Sequence, residues 1–95
     1  MIVINAEFYI MPEQKQQFLN EISELIQASK QEEGCLSYQL YQAITDENNF
    51  VMVEKWENPQ AIELHNTMSH LQEFAKKVPN YSRKAPQITV SLVKE

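Results

Sequence analysis

A single glycine and a single cysteine stand among the 95 residues, and basic residues are few. The lone glycine removes the Gly-rich phosphate loops of P-loop and dinucleotide-binding proteins, which need several glycines where backbone must approach phosphate closely. Cys35 can close no disulfide within the chain and has no second cysteine for a CxxC redox pair or a cysteine-rich zinc site, so a reducing cytoplasm is the expected compartment. Eight lysines and arginines face 13 acidic residues, for a net charge of −5, and they are scattered. Nucleic acid and anionic membrane both require a concentrated positive face, and neither is an expected partner. No apolar run approaches the roughly 20 residues of a spanning helix. Met1 leads straight into Ile2-Val3-Ile4, without the charged start and cleavage site of a signal peptide.

A chain of this length makes one domain, expected over residues 1–95. Folding buries roughly 60 to 70% of the surface of such a chain, so a single core fits but a deep, self-contained active site does not. Help from a partner subunit is expected.

Within that domain the apolar pattern changes period several times. Ile2, Ile4, Ala6, Phe8 and Ile10 alternate with Val3, Asn5, Glu7 and Tyr9, which is the pattern of a strand. Pro12 opens a helix expected over about 12–31, with Phe18, Leu19, Ile22, Leu25 and Ile26 at spacings of three and four. Gly34 stands where a left-handed terminator is wanted, and CLSYQLYQA follows as a second strand with Leu36, Tyr38 and Leu40 on one side. The turn cluster 46–49 leads into a third strand, residues 50–56, carrying Phe50, Met52, Glu54 and Trp56 on one face. Asn58-Pro59 caps a second helix whose stripe runs through Ala61, Ile62, Leu64, His65, Met68, Leu71, Ala75 and Val78 and is expected to stop before Pro79. Residues 79–86 read as a loop and 87–93 as the last strand.

The order β-α-β-β-α-β predicts an α+β, ferredoxin-like fold with an antiparallel sheet and both helices on one face. The third strand has apolar residues on both sides, since Val51 and Val53 oppose the row of Phe50, Met52 and Trp56. A bare second face would expose more apolar surface than monomers usually carry, and a homodimer burying sheet against sheet is the simplest cover.

Residues 32–75 then resemble the antibiotic biosynthesis monooxygenase family. The resemblance rests on Glu33, Gly34, Cys35 and Tyr38, on Phe50, Val51, Val53, Glu54 and Trp56 in the third strand, and on Ala61, His65, His70 and Phe74 in the helix after it. It implies a dimeric α/β barrel of ferredoxin-like subunits with a mostly apolar pocket between sheet and helices. Relatives include cofactor-free oxygenases of polycyclic phenols and quinols, haem-degrading enzymes, and isomerases of small phosphorylated sugars.

Five kinds of residue carry candidate chemistry. His65 lies on an apolar stripe, facing the protein, where an imidazole titrating near about 6.5 could move a proton; the alternative is a core histidine bonded to backbone. His70 is rotated about 140° away on a continuous helix, and a spacing of five misses the i, i+4 arrangement of helix-borne zinc pairs, so no metal is expected. Trp56 offers a flat wall for an aromatic ligand, or else packs at the dimer interface. Glu54, on the same apolar row, is either a partnered buried group or a polar anchor for ligand. Asn5 could donate to a substrate oxygen, and haem-degrading relatives use an asparagine on this strand, although Ala6 is the alternative match. Tyr38 and Tyr81 are further donors, Tyr81 from a loop that would serve as a lid. Phe50, Met52 and Met68 complete the expected pocket, and Cys35 is expected to be inert.

The expected activity is a monooxygenase needing no resident cofactor, with haem at most a substrate-like ligand. Its substrate would be a small phenol or quinol, with His65 as base, Trp56 as wall and Asn5 or Tyr38 binding the developing oxyanion. The alternatives are an isomerase of a phosphorylated hydroxy-ketone using Arg83-Lys84 for the phosphate, a haem-degrading enzyme, and a non-catalytic dimer that binds an apolar ligand.

Overall fold

The alternation of residues 2–10 folds as strand β1 (Ile2–Ile10), the centre of the sheet in a computed structural model that describes residues 1–94. A short 3-10 turn at Pro12–Gln14 enters helix α1 (Lys15–Lys30), which turns Phe18, Ile22 and Leu25 inward. Strands β2 (Cys35–Gln42) and β3 (Asn49–Trp56) follow, then helices α2 (Pro59–Thr67) and α3 (Ser69–Tyr81), and finally strand β4 (Ser82–Leu92). All neighbouring strands are antiparallel, in the order β2-β3-β1-β4, which is the ferredoxin-like arrangement.

Register decides which side chains share the core. Ile4 pairs with Glu54, Ala6 with Met52 and Phe8 with Phe50, while Tyr38 pairs with Glu54 across the other edge of β3. These side chains form the helix-covered face. Phe18 sits at its centre, its ring 5.4 Å from Phe8, 5.2 Å from Phe50 and 5.9 Å from Tyr81. The row of Phe50, Met52, Glu54 and Trp56 is thus buried within one chain, and Trp56, at 0% exposure, packs in this core and not at an interface between subunits.

Four sequence expectations are corrected. The second helix is two helices, because Met68 is extended (φ −70°, ψ 136°) and separates α2 from α3. Leu64, expected on the buried stripe, is exposed, since α2 turns Ala61 and His65 inward. Pro79 lies inside α3, whose last turn is held by the burial of Val78 and Tyr81 and by the Ser82 hydroxyl donating to the Val78 carbonyl at 2.7 Å. A proline near the end of a helix loses one backbone bond, and buried apolar surface can outweigh that loss. Residues 82–86 therefore belong to β4 and not to a loop. The fourth correction is on β2, where the pairing register shifts between Cys35 and Ser37. The extra residue puts Cys35 in register with Trp56 and leaves Leu36 exposed, apart from Tyr38.

Gly34 takes the expected left-handed conformation, but three residues beyond the Gln31 cap that ends α1, and it adds a constraint. Its φ is +86°, and a Cβ there would lie 2.5 Å from the Ala61 Cβ on α2, so the turn after α1 and the start of α2 touch through backbone. Its carbonyl accepts from the Glu57 N–H at 2.8 Å. Gly34→Ala should lower unfolding free energy in urea by about 2 kcal/mol, combining a left-handed alanine with overpacking against Ala61. A loss under about 0.5 kcal/mol would show that the approach is not tight.

Candidate active site

An apolar pocket of about 480 Å³ lies between the sheet and the helices. Ile4, Ala6 and Met52 line it from the sheet, Ile22 and Leu25 from α1, and Phe74 and Val78 from α3. Polarity is confined to one end, where Tyr38, Glu54, His65 and Asn66 reach it. Alternation along β2 and β3 delivers Tyr38 and Glu54 side by side, and α2, capped by the Asn58 side chain on the Ala61 N–H at 2.9 Å, delivers His65 from above.

Among the described residues no cation pairs with the buried Glu54. The Trp56 indole N–H, two residues along the same face of β3, donates to its Oε1 at 3.0 Å. Burial raises the Glu54 pKa to about 7; the hydrogen bonds from Trp56 and Tyr38 hold it down, and the nearby Glu32 raises it further. Burial, with Glu54 alongside, also pushes the Tyr38 phenol well above its usual range, so Tyr38 stays a neutral donor. The Cys35 thiol is raised by burial and then by Glu32 and Glu54, the opposite of an activated thiolate.

His65 is buried and its ring lies 4.6 Å from that of Trp56 and 5.6 Å from that of Tyr38. Its Nδ1 is 2.7 Å from Glu32 Oε2, in the turn that Gly34 closes. Among the described residues no hydrogen bond engages its Nε2. A carboxylate holding one ring nitrogen fixes the tautomer and leaves the other nitrogen as the acceptor. His70 Nε2 is also 2.7 Å from Glu32 Oε2, so the 140° separation expected for one continuous helix does not hold: the break at Met68 swings both imidazoles onto one carboxylate.

The other sequence candidates divide. Tyr38, Met52, Glu54 and His65 come together at the pocket. Trp56 and Phe50 stand behind it, in contact with His65 and Phe18 respectively, so Trp56 supports the pocket and does not form its wall. Asn5 pairs with Val53 and Thr89 and alternates away from Ala6, which does line the pocket. Asn5 is therefore on the opposite face, where its side-chain oxygen is buried without a partner. Tyr81 is no lid: it ends α3, is buried, and packs on Phe18 and Phe74. Met68 forms the break between helices and not the pocket wall. Arg83 is held by Asp46 at 3.2 Å and Asn49 at 2.6 Å, Lys84 lies 4.0 Å over the Tyr9 ring, and neither reaches the pocket.

Sequence reasoning missed Glu32 as the partner of His65, and it missed the helix break. Local spacing carries no trace of a pairing across 33 residues. The break had one signal, the run Asn66-Thr67-Met68-Ser69, where short polar side chains compete for helix backbone; Thr67 indeed bonds the Leu64 carbonyl at 2.7 Å.

Comparison with known proteins agrees with this architecture. The "Putative monooxygenase YcnE" of Bacillus subtilis is 42% identical over 77 residues, 81% of each chain. A conserved protein from Methanosarcina mazei superposes with a TM-score of 0.94 at 27% identity, covering 98% of this chain and 92% of that one. A solved antibiotic biosynthesis monooxygenase superposes with a TM-score of 0.93 at 24% identity over the full length of both chains, a likeness of fold. Residues 1–77 match the antibiotic biosynthesis monooxygenase family, and the chain belongs to that family.

Proposed function

We propose that this protein is a monooxygenase that acts on a small electron-rich phenol or quinol with no resident cofactor, using His65 as base. The observation that carries this reading is the polar end of the pocket: His65 Nδ1 is held by Glu32, and Glu54 and Tyr38 line the same end. Removal of a proton from such a ring leaves an anion that can pass an electron to O₂. Conversion of a ring CH₂ to a carbonyl then takes one oxygen atom from O₂ and releases the other as water, so the substrate supplies all the electrons. Nε2 of His65 accepts the proton, and Tyr38 with protonated Glu54 donates hydrogen bonds to the developing oxyanion. The apolar walls exclude water from the reactive anion.

The test is O₂ uptake by metal-stripped protein offered hydroxylated quinols and anthrone-like phenols. Uptake above the uncatalysed rate, falling at least tenfold in His65→Ala, is expected. Undiminished uptake by the variant would remove His65 from the mechanism. The isomerase reading gains no support, since no lysine or arginine lines the pocket among the described residues.

The reading includes a homodimer. Ile88 and Val90 line the pocket yet are 66% and 61% exposed, because β4 extends beyond the helices. A second copy lying over this strand would close the open side. Sedimentation at micromolar concentration should give twice 11.1 kDa. A species of 11.1 kDa would remove the dimer.

A further inference from the structure

We infer that Glu32, His65 and His70 form a binding site for one divalent transition-metal ion of the zinc class. Each residue offers one donor atom, and the three atoms lie within 4.8 Å of one another. Two imidazole nitrogens and one carboxylate oxygen are a donor set suited to a borderline ion and found in three-ligand sites that keep an open position. Around such an ion, ligand atoms about 2.1 Å from the metal sit roughly 3.3 Å apart, so the two 2.7 Å contacts to Glu32 would open by about 0.6 Å and the two imidazole nitrogens, which lie within 4.8 Å of each other, would draw together by up to about 1.5 Å.

Two further observations point to a cation. The Glu32 side chain is only 5% exposed, and its ion-pair partners among the described residues are the two histidines, which are neutral unless protonated. Its second oxygen, Oε1, is buried with no hydrogen-bond partner, an acceptor that a bidentate carboxylate–metal contact would use. Access comes from His70, whose side chain is 27% exposed while that of His65 is 3% exposed. The cluster exists because of two departures from regular structure: the turn closed by Gly34 carries Glu32 under α2, and the extended Met68 lets residues 65 and 70 converge.

Binding does not depend on the oxygenase reading. An ion on Nδ1 would leave Nε2 of His65 as an N–H, so the filled site and the proposed base are alternative states of one imidazole.

The experiment is titration of the chelator-treated protein with Zn²⁺ by calorimetry at pH 7, with Co²⁺ as an optical probe. One ion per chain is expected, together with Co²⁺ absorption bands of an imidazole-ligated site and a rise in melting temperature on adding Zn²⁺. His70→Ala, at a partly exposed position, and Glu32→Gln, which keeps the shape, should each weaken binding at least tenfold and abolish the thermal shift. Absence of binding by the wild-type protein would overturn the site. So would binding that survives Glu32→Gln unchanged, because the ion would then sit at the surface, with His70 and its neighbour Glu73. Circular dichroism of each variant establishes that a loss of affinity is not a loss of fold.

Discussion

Replacing Trp56 with alanine should lower the free energy of unfolding by about 4 kcal/mol, a large part of the 5–15 kcal/mol that holds a domain of this size together. The indole is wholly buried, so truncation leaves a cavity bounded by Tyr38 and His65, whose rings lie 6.3 Å and 4.6 Å from it. It also removes the N–H that donates to Glu54, leaving a buried carboxyl with one partner fewer. Trp56→Phe separates the two effects, because it keeps most of the packing and loses only the donor. Its cost should be nearer 1–2 kcal/mol, and Glu54 should titrate above its present value of about 7. Urea unfolding of both variants, with the Glu54 carboxyl followed by NMR, checks this. A Phe variant in which Glu54 titrates unchanged would show that the indole N–H does not stabilise the carboxylate.

The parts of this site that local sequence reveals are those set by period. Alternation in β3 places Glu54 and Trp56 on one face with Phe50 and Met52, and the same rule puts Tyr38 opposite Glu54. Helical spacing turns His65 inward with Ala61. The features that escaped are the ones where tertiary contacts override the period. Leu36 leaves the Tyr38 face because a bulge adds a residue to β2. Asn5 sits one residue from the pocket, and a shift of one residue in a strand is a change of face. Tyr81 reads as part of a proline-flanked loop, but burial against Phe18 extends α3 past Pro79 and draws it into the core.

The histidines show the same limit. On an unbroken helix His65 and His70 diverge, and the metal chemistry of the pair vanishes with them. The break at Met68 converts two unrelated side chains into neighbours of Glu32, a residue 33 positions before the first. Gly34 was legible as a left-handed residue before β2, although α1 ends earlier, at the Gln31 cap; its other task, allowing α2 to approach within Cβ contact, depends on where Ala61 lies in space.

Glu54 makes stability depend on pH in an unusual direction for a carboxylate. Its pKa is about 7 in the folded protein against 4.5 without the fold, so between these values the folded state binds more protons than the unfolded state. Stability from this group is then fully present below about pH 4.5 and is lost as pH rises through 7, the reverse of a salt-bridged carboxylate. The separation of the two pKa values corresponds to about 3 kcal/mol. Glu54→Gln removes the titration while keeping an oxygen for the Trp56 N–H, and it resembles the protonated acid in shape. The difference in unfolding free energy between variant and wild type should therefore grow by about 3 kcal/mol between pH 4.5 and pH 8, to the variant's advantage. A difference that stays flat over this range would mean that Glu54 ionises as readily in the fold as outside it, and it could then not serve as a neutral donor to an oxyanion in the pocket.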